Sequence, residues 1–169
     1  SPLSLVRQVT EANGQLLSHF PFAVRQAASN DATYLLQHEM RMAAHYGTAK
    51  GVYQYLPKQQ RVSAKTGTTN DLKDSWFAGF SGQHVATVWL GREDAKPTPL
   101  TGAGGALHVW AQLMQHLAYT SYKDIKPQLI EYYHLNVKTG KAMPNNCPNG
   151  VWLPIPKVSA PAFNKTCGY

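Results

Sequence analysis

The sequence predicts an α+β fold in which helices pack on an antiparallel sheet. Its predicted elements fall into separate groups: a hairpin, then helices, then three strands, then a last helix. Such grouping is typical of α+β domains, whereas strands that alternate with helices indicate a parallel sheet. The 169 residues are 43% hydrophobic and 15% charged, which suits one domain with its own core.

The first predicted element is a hairpin. Leu3–Thr10 mixes β-branched and polar residues in the loose alternation of a half-buried strand. Asn13-Gly14 is a signal for a two-residue turn, and Gln15–Ser18 returns as the partner strand. Pro21 then ends the pattern.

Two helices are predicted next. The first has candidate N-caps before it and Gly47 as its C-terminal stop. A second, shorter helix is predicted over Thr48–Leu56, ended by Pro57. The candidate N-caps are Ser29, Asn30 and Asp31, and the predicted apolar face of the first helix comprises Leu35, Leu36, Met40, Ala43 and Ala44.

Three strands and a helix complete the predicted domain. Arg61–Asn70 is too short and too β-branched for a helix and predicts a strand with its loop. Trp76–Phe80 and His84–Leu90 predict a second hairpin, and Leu107–Tyr119 an amphipathic helix. The apolar face predicted for this helix comprises Leu107, Trp110, Leu113, Met114 and Leu117.

The composition shifts to Pro, Asn, Lys and Tyr beyond about Ile125. We therefore expect a domain portion over residues 1–124 and an irregular C-terminal tail over residues 125–169. Cys147 and Cys167 both lie in this tail, and a disulfide between them would stabilise it by about 3 kcal/mol through loop closure. Two independent buried thiols are the alternative.

The net charge of +7 favours anionic partners without choosing among them. No run of five or six basic residues indicates a nucleic-acid arm, so we expect no nucleic-acid partner. The sequence contains no P-loop motif. Gly102–Gly105 lacks the spacing of a dinucleotide-binding loop, so we interpret it as the start of a helix that requires a close backbone approach. His38 and His45 are two helical turns apart and cannot share one metal ion, so no metal or cofactor is expected.

One segment, Lys65-Thr66-Gly67-Thr68-Thr69-Asn70, combines groups suited to a peptide that ends in a carboxylate. Lys65 offers a compact positive charge, and the hydroxyls of Thr66 and Thr68 lie on one side of an extended strand. Gly67 lets a ligand backbone approach an edge strand, and a free N–H near Thr68 could stabilise an oxyanion. The tripeptide Lys-Thr-Gly (K-T-G) that begins this segment recurs at Lys138-Thr139-Gly140, where polar neighbours indicate a hairpin turn.

Further motifs accompany the first copy in a fixed order. Together they resemble, over roughly residues 1 to 120, the C-terminal half of the transpeptidase domain of class A (bifunctional) penicillin-binding proteins, most like the 1B type. The matching segments are Ala64–Asp71, Asp74–Gly79, Val85–Arg92, Pro97-Thr98, Leu100–Leu107 and Trp110, with Tyr34-Leu35-Leu36, Met40 and Gly47-Thr48-Ala49 before them.

The resemblance implies half of the fold shared by penicillin-binding transpeptidases and serine β-lactamases, and it implies D,D-transpeptidation. A serine is acylated by the D-Ala-D-Ala end of a lipid II-derived peptidoglycan stem peptide, and an amine of another strand resolves the acyl-enzyme. β-Lactam antibiotics acylate the same serine. By this similarity Lys65, Thr66, Gly67, Thr68 and Thr69 bind substrate, and the Thr68 N–H forms half of the oxyanion hole.

The sequence departs from the family in one respect. None of its serines begins an S-x-x-K or S-x-N motif, which carry the nucleophile and a proton-transfer group in these enzymes. The chain opens Ser1-Pro2-Leu3 without a methionine, so we expect a piece of a longer polypeptide whose upstream remainder is its partner. The resemblance places such a protein at the periplasmic face of the inner membrane, with its anchor upstream, and an oxidising compartment suits a disulfide.

A non-catalytic module that binds an anionic cell-wall polymer is the alternative function. The +7 charge together with Tyr and Trp residues motivates it.

Overall fold

Residues 6–21, 24–119 and 124–167, which the computed structural model describes, form three antiparallel sheets and two α-helices. The strands are β1 (Gln8–Thr10), β2 (Leu16–His19), β3 (Val62–Thr68), β4 (Asp74–Ser81), β5 (His84–Gly91), β6 (Ile130–Leu135) and β7 (Val151–Pro156), and the helices are α1 (Asn30–His45) and α2 (Ala106–His116). The sheets have the strand orders β1-β2, β3-β4-β5 and β6-β7. This arrangement confirms the predicted α+β class.

The core lies between α2 and one face of the β3-β4-β5 sheet. Phe77 of β4 and Trp110 of α2 are fully buried, with ring centroids 5.1 Å apart. The Trp110 indole N–H donates to the backbone oxygen of Ala86 on β5 at 3.0 Å, so the buried polar atom of this ring has a partner. The remaining buried members of the cluster are Ala44, Ala49, Val52, Leu56, Val62, Ala64, Ala106, Leu107, Ala111 and Met114.

Helix α1 has the predicted cap but a different buried face. Ser29 is the N-cap, and its hydroxyl accepts from the Ala32 N–H at 3.2 Å. The predicted burial of Leu36 is wrong, since that side chain is 61% exposed, and Tyr34 is buried instead. The helix packs on the edge strand β3 and on the tail rather than on a broad sheet face. A narrower stripe of the α1 surface is therefore buried than the apolar spacing predicts.

Three further elements differ from their predictions. The segment predicted as a short helix over Thr48–Leu56 contains a 3₁₀-helix, Lys50–Gln54. Leu113 of α2 is 46% exposed, because the buried stripe runs through Leu107, Trp110, Ala111 and Met114 at helical spacing. Helix α2 ends at His116 rather than Tyr119.

The first hairpin turns through a longer loop than Asn13-Gly14 predicts. Glu11 N–H donates to Gln15 O at 2.8 Å, and Gly14 N–H donates back to Glu11 O at 2.9 Å. Three residues therefore lie between the closing pair, and Gly14 takes the left-handed conformation, φ +87°, that such loops need. Of the predicted strand Leu3–Thr10, residues 3–5 lie outside the described part of the chain.

The tail contains regular structure where the composition predicts irregular chain. β6 and β7 pair along six residues each, because β6 is rich in aromatic and aliphatic side chains that can cover one another. Cys147 and Cys167 are joined by a disulfide across 20 residues. Lys138-Thr139-Gly140 lies in a turn, in which Gly140 has a positive φ of 68°.

The tail also packs against α1. The hydroxyls of Tyr34 and Tyr132 are 2.9 Å apart, and just before the tail Asp124 forms an ion pair with Arg41. None of the helices in the described ranges is long and apolar enough to cross a membrane.

The N-terminus of α2 is capped by a side chain from the sheet. Its own N-cap residue is Gly105, which has no side chain to offer. The fully buried Ser75 hydroxyl on β4 accepts from the Ala106 N–H at 2.9 Å and donates to the Thr101 carbonyl at 2.7 Å. One hydroxyl thus satisfies an orphan donor of the helix and holds the preceding loop to the sheet.

The turn between β3 and β4 is closed by Asp74. The Thr69 hydroxyl donates to one carboxylate oxygen and the Trp89 indole N–H to the other, at 2.9 and 2.8 Å, and the Asp74 N–H donates back to the Thr69 hydroxyl. The bond from Trp89, followed by that from Thr69, lowers the pKa of Asp74 below its ordinary value of 3.8. Both bonds favour the charged carboxylate.

Replacing Ser75 by alanine tests the shared cap. Ser75→Ala leaves the Ala106 N–H and the Thr101 carbonyl without their buried partner, so we expect the free energy of unfolding to fall by about 1–3 kcal/mol. Urea unfolding of the chain measures it, and Ser159→Ala, at an exposed serine, is the matched control. Equal midpoints for the two variants would contradict a role for the Ser75 hydroxyl.

The Asp74 turn predicts a dependence of stability on acid. Because the folded pKa of Asp74 is lowered, its contribution is complete above the unfolded pKa near 3.8 and is lost as the pH falls through the lower folded value. Asp74→Asn is therefore expected to be less stable than the unaltered chain at neutral pH, with a difference that shrinks below pH 3.8. Thermal unfolding across this range measures it, with Asp71→Asn as the control; a constant difference would refute the linkage.

Candidate functional site

The candidate site lies along β3, the terminal strand of its sheet. β4 pairs with one edge of β3, and in the described part of the chain no strand pairs with the other. The Thr69 N–H donates to Asp74 O at 3.2 Å, towards the β4 side. Backbone amides alternate along a strand, so the Thr68 N–H is directed to the open edge, where an oxyanion donor would have to lie.

Thr66 and Thr68 present their hydroxyls on the α2 side of the sheet. Thr66 is opposite Phe77 in the β4 register and Thr68 is opposite Ser75, both of which face the core. The Thr66 hydroxyl lies 2.6 Å from the hydroxyl of Thr48, and the Thr68 hydroxyl accepts from the Gly102 N–H at 2.9 Å. Each hydroxyl is thereby tied to a segment outside the strand.

Lys65 and Gly67 lie on the opposite face of the same strand. Lys65 is exposed, and its ammonium group donates to the Thr66 carbonyl at 2.7 Å, at the open edge. Gly67 is opposite Trp76, and a Cβ on Gly67 would lie 3.0 Å from the Cβ of that tryptophan. The Lys65 ammonium group therefore reaches the open edge of β3 from one face, whereas the two threonine hydroxyls lie on the other face.

Thr69 stands apart from the other predicted site residues. Its hydroxyl is engaged with Asp74 in the turn, whose pKa it helps to lower. Its position holds the end of β3 in place, and a direct contact between Thr69 and substrate stays a prediction.

Sequence reasoning did not assign three residues to this site, Thr48, Ser75 and Gly102, although it predicted a close backbone approach at Gly102–Gly105. Gly102 packs so closely that a Cβ there would lie 2.6 Å from the carbonyl oxygens of both Gly67 and Trp76. The close backbone approach predicted for the Gly102–Gly105 segment is thus present. The partners could not be found from sequence spacing, because Thr48 and Gly102 are 18 and 34 residues from the threonines they contact.

Two other predicted features lie away from β3. The second K-T-G copy is in the tail, where the Asn136 side-chain oxygen accepts from the N–H groups of Lys138 and Thr139 at 2.9 and 3.2 Å. The disulfide joining Cys147 and Cys167 is in the same tail. No group of three or more potential metal ligands occurs in the residues that the structure describes.

Comparison with known proteins finds relatives that are named penicillin-binding protein 1B. Penicillin-binding protein 1B of Vibrio cholerae is 37% identical over 158 residues, which is 92% of this chain and 20% of that protein. Penicillin-binding protein 1B of Escherichia coli is 34% identical over 129 residues, which is 76% of this chain and 15% of that protein. The chain thus spans at most about a fifth of the length of these curated relatives. No family model matches it.

A solved structure shows the same fold. The crystal structure of penicillin-binding protein 1A from Haemophilus influenzae superposes with a TM-score of 0.66 at 19% sequence identity, covering 93% of this chain and 29% of that chain. Over most of its length, this chain is a homologue of the class A penicillin-binding proteins, of the 1B type.

Proposed function

We propose that this chain is the carboxy-terminal, substrate-binding part of a peptidoglycan D,D-transpeptidase. Residues 1–124 form the portion of the transpeptidase domain, and residues 125–169 form an appendage to it. The observation that carries the proposal is the open edge of β3, with the Thr68 N–H directed outwards and the Lys65 ammonium group at the same edge.

In the proposed reaction a stem peptide ending in D-Ala-D-Ala lies extended along β3. Strand addition at an open edge supplies main-chain hydrogen bonds to such a peptide. The hydroxyls of Thr66 and Thr68 and the charge of Lys65 bind its terminal carboxylate, and Gly67 leaves the backbone accessible.

The chemistry itself needs a serine that this sequence does not supply in an S-x-x-K motif. The oxygen of that serine forms a bond to the carbonyl carbon of the penultimate D-Ala, and the terminal D-Ala leaves with a proton. An amine of a second stem peptide then displaces the serine. The Thr68 N–H stabilises the oxyanion formed in both steps.

The remaining parts of the proposal concern the whole protein. The whole protein crosslinks peptidoglycan and is acylated by β-lactam antibiotics. It also polymerises glycan through a glycosyltransferase domain outside these 169 residues. It acts at the periplasmic face of the inner membrane. Support comes from the 1B-type relatives and from the disulfide, which suits an oxidising compartment.

The two K-T-G copies provide a matched test of Lys65. In the complete enzyme, Lys65→Ala is expected to slow acylation by a fluorescent penicillin at least 10-fold, because it removes the positive charge beside the proposed carboxylate site. Lys138→Ala changes the same residue in the same local sequence, within a turn of the tail, and should leave the rate unchanged. Gel fluorescence over time measures both rates.

The outcomes separate the enzyme from the binding module. An acylation rate unaffected by Lys65→Ala would remove Lys65 from the site. Salt-sensitive binding of peptidoglycan by the chain, together with such an unchanged rate, would favour a module that holds an anionic polymer through its net charge.

The 169-residue chain by itself is expected to form no covalent adduct with fluorescent penicillin. It carries the proposed binding strand without an S-x-x-K nucleophile. Denaturing electrophoresis after incubation measures the label, with the complete enzyme as the positive control. A labelled serine in the isolated chain would disprove the proposal that the nucleophile lies elsewhere.

A further inference from the structure

A cavity of about 570 Å³ lies between the 3₁₀-helix Lys50–Gln54 and the N-terminal end of α2. Its lining combines an apolar part with a basic part. Ala103 and the ring of Tyr53 contribute apolar surface above the buried Leu107, and Lys50, Lys58 and His45 contribute the basic groups. We refer to it as the basic cavity.

The charge of the basic cavity is not neutralised by the described residues. None of the nine acidic residues of the chain lines it. Within the described ranges, Lys50 and Lys58 form no ion pair, whereas Lys96 pairs with Asp94 and Lys126 with Glu131. Two ammonium groups beside one cavity favour an anionic ligand.

Hydrogen bonds connect the basic cavity to the face of β3 that carries the Thr66 and Thr68 hydroxyls. Thr48 lines the cavity, and its hydroxyl is 2.6 Å from that of Thr66. Ala103, also in the lining, directly follows Gly102, whose N–H donates to the Thr68 hydroxyl. A ligand bound to both threonines would therefore lie next to this cavity.

We propose that the basic cavity is a second carboxylate subsite, which binds an aliphatic side chain ending in a carboxylate on the same peptide that occupies β3. The apolar lining covers the methylene groups of that side chain, and Lys50 and Lys58 bind its carboxylate. This inference rests on the proposed function, because it requires a peptide on β3.

Two matched peptides test the subsite in the complete enzyme. Both end in D-Ala-D-Ala; one carries a free side-chain carboxylate, and the other carries the corresponding carboxamide. We expect the carboxylate peptide to have the lower KM. The variant Lys50→Gln/Lys58→Gln should reduce this preference about fivefold, as expected for two partly exposed ion pairs. Lys138→Gln/Lys165→Gln removes the same charge from the tail and should preserve the preference.

Each outcome has a distinct meaning. A preference that survives Lys50→Gln/Lys58→Gln, or that is absent from the unaltered enzyme, overturns the subsite. Inhibition by inorganic phosphate that depends on the two lysines, without any carboxylate preference, would assign the cavity to a phosphate and also overturns it. Acylation by fluorescent penicillin is measured in parallel: if the unaltered enzyme is not acylated, the proposed function fails whatever the peptides show.

Discussion

The close approach of Gly102 to two backbones organises the candidate site. Its Cα faces the carbonyl oxygens of Gly67 and Trp76 with no room for a side chain, so the loop before α2 lies directly against the ends of β3 and β4. From this position its N–H reaches the Thr68 hydroxyl, while the carbonyl of Thr101, the residue just before it, accepts from the Ser75 hydroxyl. Helix α2, the last turn of β3 and the core around Trp110 are thereby held in one arrangement.

Local patterns in the sequence predict most of this fold. The β4–β5 hairpin and both helices follow from apolar periodicity and turn residues, and Ser29 follows from capping chemistry. Side chains that face another segment were predicted less well. Leu36 has the spacing of a core residue, but α1 packs on an edge strand and a tail whose position the spacing does not encode. The pairing of Thr48 with Thr66 is hidden for the same reason, since it depends on tertiary contact.

Helix α1 supports β3, and the tail in turn supports α1. Ser63 donates to the Gln37 carbonyl of α1 at 3.1 Å, and α1 in turn contacts the tail through Tyr34 and Tyr132. The Arg41–Asp124 ion pair adds a second link between α1 and the segment that leads into the tail. Although composition divides the chain near residue 125, the tail supports the helix that packs against β3, and the disulfide keeps the end of that tail closed.

The hydrogen bonds of the two threonines also determine which protons remain available. Gly102 occupies a lone pair of the Thr68 oxygen, so the hydroxyl hydrogen of Thr68 is left to point elsewhere. Thr48 and Thr66 have two hydroxyl hydrogens between them, and their mutual bond uses one. Within the described part of the chain, the face of β3 that carries these hydroxyls therefore has two hydroxyl hydrogens without an acceptor, polarised by the bonds behind them. An incoming group that can only accept, such as a carboxylate, matches this count, whereas an ammonium group finds donors where it needs acceptors.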